Sequence, residues 1–179
     1  NIAGATPVVV VPPDIPLSSS SLDFSPVEVG TGSAPKTIQV GYNGTGVLNL
    51  SAATITGANA SAFTITDGAV GSPVAIDSGS SRNLTVTFAP SLPTGTKTAT
   101  LTLESDDFIQ PTLTIPLSGT GQDTTPPVAD AGPTRTVNED TAVTFDGSNS
   151  TDNGRIASYR WPLGDGTTAT GQNATHTYA

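Results

Sequence analysis

The chemistry open to this chain is bounded by what it carries once or not at all. His176 is the only histidine, and cysteine and methionine are absent. A serine-type triad needs a His between a nucleophile and an orienting acid. A structural zinc site needs several His or Cys ligands in tetrahedral reach. A single His with no second His or Cys supplies neither, so His176 reads as a strand residue with a structural role. Asp106 and Asp107 fall together in a predicted turn, and no spacing of acids argues for the flanking carboxylate pair of a glycosidase. The expectation is a chain without catalytic residues.

A second pattern concerns modification. Asn-x-Ser/Thr sequons occur at Asn43, Asn49, Asn59, Asn83, Asn149 and Asn173, six of the nine asparagines. This exceeds chance, although turn chemistry also favours Asn near Thr. The candidates for N-glycosylation, and so for surface glycans, are Asn43, Asn49, Asn59, Asn149 and Asn173. Asn83 opens a strand and is the poorer acceptor.

The elements that carry these residues follow from composition and periodicity. With 19 Gly, 15 Pro, many Ser and Thr and only 12% charged residues, the chain has the make-up of a turn-rich all-β protein. Its 35% hydrophobic residues recur in alternating runs, which sets it apart from a disordered segment. The formal charge of −9 with 6 basic residues repels phosphate backbones and argues against nucleic-acid binding. The acidity serves solubility, or in a sharper reading some carboxylates hold divalent cations. Absence of Cys excludes disulfides without fixing the compartment. No apolar run approaches the ~20 residues that span a bilayer. A start at Asn1 fits a mature secreted chain and fits a fragment equally.

Residues 1–17 read as an extended N-terminal arm. Val8, Val9, Val10 and Val11 form a β-branched run that pairs well in a sheet, and Pro12, Pro13 and Pro16 stop it and stiffen the exit. The run is either the first edge strand of the next domain or an arm for strand exchange with another subunit. Over residues 18–121, Ile38, Val40 and Tyr42 alternate with polar or small residues. So do Leu84, Val86 and Phe88; Ala99, Leu101 and Leu103; and Leu113, Ile115 and Leu117. Period two with Thr on the other face predicts strands buried on one side. Six to eight of them between Gly/Ser clusters predict a sandwich.

Leu22-Asp23-Phe24, Lys36-Thr37-Ile38-Gln39-Val40, Leu48-Asn49-Leu50, Phe63-Thr64-Ile65, Leu84-Thr85-Val86-Thr87-Phe88-Ala89-Pro90 and Ile115-Pro116-Leu117-Ser118-Gly119-Thr120-Gly121 give residues 18–121 an order that resembles the choice-of-anchor D, or ASH-like, immunoglobulin-type domains. That resemblance implies a scaffold with no shared catalytic residues. Residues 122–127 are a Pro-rich linker held toward an extended form.

Ala129-Asp130-Ala131-Gly132-Pro133, Val143-Thr144-Phe145-Asp146-Gly147-Ser148, Tyr159-Arg160-Trp161 with Gly164-Asp165-Gly166, and His176-Thr177-Tyr178 resemble a PKD domain over residues 128–179. In that family two more strands follow the His-Thr-Tyr segment, so the resemblance implies an incomplete second sandwich. It also implies that Trp161 is a core anchor alternating with Tyr159 and Leu163, rather than an exposed platform for a sugar. Some PKD domains bind calcium near the loop matched here by Asn149, Asp152 and Asn153, where Asn153 stands in place of a second acid. The whole reads as all-β: two tandem immunoglobulin-like β-sandwiches, the second incomplete, behind an extended arm.

Two function classes fit. One is a non-catalytic extracellular structural module, a subunit or stalk of a cell-surface filament, sheath or surface layer, self-associating head to tail through β-strand addition. The other is an accessory binding or spacer region of a larger secreted hydrolase or adhesin. Neither needs a cofactor, calcium being the one candidate.

Overall fold

The computed structural model of the chain describes residues 15–68 and 73–179. Val8, Val9, Val10 and Val11 lie outside the described residues. Among the described residues the fold is all-β apart from one turn of 3-10 helix at Ala60–Ala62, and it divides into two compact units. Of the described residues, the first holds those up to Val27 and those of Thr31–Gln122, the second Glu28–Gly30 and Asp123–Ala179.

In the first unit the strands are β1 (Leu22–Glu28), β2 (Lys36–Gly41), β3 (Val47–Thr56), β4 (Phe63–Asp67), β5 (Val74–Asp77), β6 (Ser81–Phe88), β7 (Gly95–Ser105) and β8 (Thr112–Gln122). One sheet has the order β1-β8-β7-β3-β5, the other β2-β6-β4. The alternating residues of the sequence close the core between them. Ile38, Val40, Leu84, Val86, Phe88, Leu101, Leu103, Ile115 and Leu117 are all essentially without solvent contact. Each such side chain contributes about 1.5–3 kcal/mol of burial. Phe24 of one sheet packs on Phe63 and Phe88 of the other, with ring centroids 5.8 and 5.7 Å apart. Ile15 is buried in the same core, and Leu17 bridges Val40.

Two local features matter below. Gly119 on β8 leaves room for the Phe88 ring: a Cβ there would stand 2.7 Å from Phe88 Cε1. On the other face of the larger sheet, cross-strand register lines up Thr54, Thr102 and Thr114 in one row and Thr56, Thr100 and Pro116 in the next. The β7–β8 hairpin closes through residues 106–111.

The second unit is built from β9 (Ala142–Asp146), β10 (Arg160–Pro162), β11 (Thr168–Thr170) and β12 (Asn173–Thr177). They form two separate antiparallel pairs, β9 with β12 and β10 with β11. Its buried apolar set is small: Val29, Val143, Leu163 and Ala174. Pro162, which has no N–H to donate, sits on a three-residue strand with one strand partner among the described residues.

Candidate functional site

Among the described residues, the small sheets of the second unit have β edges without a strand partner, beside aromatic side chains. Phe145 on β9 and Trp161 on β10 face each other across the two small sheets, ring centroids 5.6 Å apart. The indole N–H of Trp161 donates to Gly171 O at 2.9 Å. Trp161 and Tyr159 are only partly buried while Leu163 is buried. The expected alternation is present, but with two strands per sheet there is not enough neighbouring chain to cover the large rings. A groove of about 420 Å³ runs beside β10, lined by Ala129, Ile156, Tyr159, Arg160 and Trp161 among others. A second, of about 440 Å³, runs beside β9 and is lined by Pro133, Arg135, Val137, Phe145 and Tyr178 among others. Arg135 Nη1 donates to Thr144 O at 3.2 Å in that second groove.

His176 lies on a strand, as read from the sequence, with contacts that the sequence did not disclose. Its Nε2 lies 2.7 Å from Asp165 Oδ2, and its ring meets Tyr178 edge-on at 4.6 Å. Tyr178 in turn donates its hydroxyl to Leu163 O at 3.0 Å. Asp165 also accepts the hydroxyl and backbone N–H of Thr167. These Thr167 bonds, with a smaller share from His176, pull its carboxyl down to about 2. An acid already saturated in this way orients a side chain; it is not poised to move protons near neutral pH.

Glu28 is a second hub, which the sequence reading missed. It accepts the side-chain amide of Asn153, the N–H and hydroxyl of Thr124 and the N–H of Thr125. The Asn153 bond first, then those of Thr124, lower its pKa to about 2. No local motif marks it, because its partners lie about a hundred residues away in sequence.

The three residues matched to the calcium loop do not offer a calcium-type donor set. Asp152 Oδ1 accepts the N–H of Gly154 at 2.7 Å, closing an Asx turn. Asn153 turns its amide nitrogen, which cannot ligate a cation, toward Glu28 and the Val29 carbonyl. Asn149 is exposed. No group of three or more His, Cys, Asp or Glu among the described residues is placed to hold a metal.

The sequon asparagines fall into different settings. Asn43, Asn83, Asn149 and Asn173 are exposed. Asn59 uses its side-chain oxygen to accept Thr98 N–H, leaving the amide nitrogen aside. Asn49 commits that nitrogen, the atom a glycan would join, to Asp106 Oδ2 at 2.6 Å. Asp106 and Asp107 lie in the predicted turn, but Asp107 is buried. No helix of the described residues is long and apolar enough to cross a membrane.

Comparison with known families decides the nature of the second unit. Its main segment matches the family model described as PKD domain, over residues 124–179. Residues 124–179 are similar to PKD domains. The PKD resemblance of this segment is thus borne out. Among solved structures, the chain is similar to the ASH/PapD-like domain 7 of human CEP192, with 17% identity, TM-score 0.47, and 68% of this chain and 96% of that one covered. It is similar to a protein of unknown function from Porphyromonas gingivalis W83, with 19% identity, TM-score 0.48, and 63% and 49% covered. It is also similar to the secreted serine protease VesC from Vibrio cholerae, with 11% identity, TM-score 0.45, and 94% and 44% covered. The chain spans less than half of the last two. No curated protein matches the sequence.

Proposed function

We propose that this chain is a non-catalytic structural module of an extracellular assembly, a subunit or stalk of a cell-surface filament, sheath or surface layer. Its second unit is completed by an added β-strand. The observation that supports this reading is the edge of β9 that no strand among the described residues pairs, beside the 440 Å³ groove. Backbone groups with no strand partner beside a groove of mixed polar and apolar lining recruit an extended segment, main-chain bonds giving affinity and alternate side chains entering the groove. Val8, Val9, Val10 and Val11 of another copy have the β-branched character that such a segment needs. Repetition of one such head-to-tail contact produces an open polymer rather than a closed dimer.

The test compares the purified chain with a form lacking residues 1–11. Electron microscopy and sedimentation should show polymers for the first and folded monomers for the second. Polymers that persist after the deletion would exclude exchange through the valine run. A chain of residues 1–179 that stays monomeric at high concentration would instead favour a spacer within a larger secreted protein.

A further inference from the structure

The turn between β7 and β8 displays two large apolar side chains. Phe108 is 94% exposed and Ile109 56%, on a loop otherwise held firmly. Asp107 Oδ1 accepts the N–H groups of Ile109 and Gln110 at 2.7 and 2.8 Å. The Ser105 hydroxyl donates to Gln110 O at 2.9 Å. Asp106 accepts both the backbone and the side-chain amide of Asn49. Gln110 Oε1 accepts the N–H of Ile15. A loop tied at this many points has little freedom left to lose, so the exposed pair is preorganised for contact.

The charges around the tip narrow the partner. Glu104 and Asp106 flank it, and Asp107 Oδ2 is buried without a hydrogen-bond partner in its base. Three acids repel the anionic face of a membrane. They also oppose a two-fold contact of the tip with itself, which would bring two acidic sets together. The complementary receptor is an apolar groove carrying a cation. Cations are scarce here, and several are committed: Lys97 is buried with its ammonium on Pro93 O, and Lys36 donates to Asp23 O. The groove beside β10 joins exposed Arg160 to Trp161, Tyr159 and Ile156, and its one acid, Asp130, accepts Gly132 N–H.

We infer that Phe108 and Ile109 of one copy seat in the Trp161–Tyr159 groove of a second copy, with Arg160 facing Glu104 and Asp106. This deepens the proposed self-association and rests on it, but uses a groove other than the one beside β9. A Phe buries about 150–250 Å², against about 800 Å² per partner in a standard stable interface. The contact is therefore an anchor in a weak, concentration-dependent association.

Trp161, the only Trp, reports on it directly. Its emission is followed in the full chain from low to high concentration, alongside sedimentation, for wild type, Phe108→Ser/Ile109→Ser and Arg160→Glu. The expected result is a blue shift with concentration in wild type and a transition displaced at least about tenfold to higher concentration in both variants. Adding Glu104→Arg to Arg160→Glu should restore it in part. Both serine changes replace exposed side chains, so the dilute variant should melt as wild type does. An unchanged shift in the serine variant overturns the seating of the tip while leaving self-association intact. Assembly by sedimentation with no Trp161 shift in wild type overturns it equally. A chain that stays monomeric throughout overturns both readings.

Discussion

His176 Nε2 lies 2.7 Å from Asp165 Oδ2, which ties the last strand to the turn at residues 164–167. Asp165 titrates at about 2 in the folded chain against 3.8 in the unfolded one. A lowered folded value means stabilisation that is complete above the unfolded pKa and is lost as pH falls through the folded one. Glu28 behaves in the same sense, from 4.5 to about 2. Melting followed through Trp161 should therefore drop between roughly pH 4.5 and 2. Asp165→Asn should lower stability at neutral pH and flatten that drop. An equally steep acid limb in the variant would show that the pair contributes nothing.

Truncation should separate the two cores. Phe88 is completely buried, and Phe88→Ala should cost about 3–5 kcal/mol. Trp161 is only partly covered, so Trp161→Ala should cost less, about 1–3 kcal/mol. Denaturant midpoints measure both, and acrylamide should quench Trp161 more readily than a fully buried indole.

Gly119→Ala tests the close approach of β8 to the Phe88 ring. A methyl group 2.7 Å from the ring carbon forces ring or strand to move, costing about 1–3 kcal/mol. Phe88→Leu in the same chain should relieve part of that cost, which a double-mutant cycle measures.

Expressed in a host with N-glycosylation, the chain should carry glycans at exposed Asn43 and Asn149 in preference to Asn49, whose amide nitrogen is held by Asp106. Glycopeptide mapping gives the occupancies. Asp106→Ala should raise modification at Asn49.

The first core was legible because its signal is local. Ile38 and Val40, Leu84 to Phe88, Leu101 and Leu103 repeat every second residue, and a one-sided strand needs no other information. The all-β architecture and the PKD segment followed from such runs and from the Gly-Asp-Gly turn. The tertiary pairings were not legible. Nothing near Glu28 announces Asn153, and Asp107 reads as an ordinary turn acid until its burial is seen. Phe108 and Ile109 follow two aspartates inside turn chemistry, which hides an apolar tip. For Trp161 the motif fixed its neighbours correctly, but exposure depends on how many strands cover them.

The threonine rows on the larger sheet have a consequence for the surroundings in which such a chain can work. Thr54, Thr102 and Thr114, with Thr56 and Thr100 beside them, wet the face through uncharged hydroxyls. Hydroxyls do not titrate in ordinary water and bring no counterion cloud for salt to screen. The hydration of those rows is therefore indifferent to acid and to brine, and the carboxylates that share the face, Glu104 and Asp23 among them, carry whatever response to pH and salt it has.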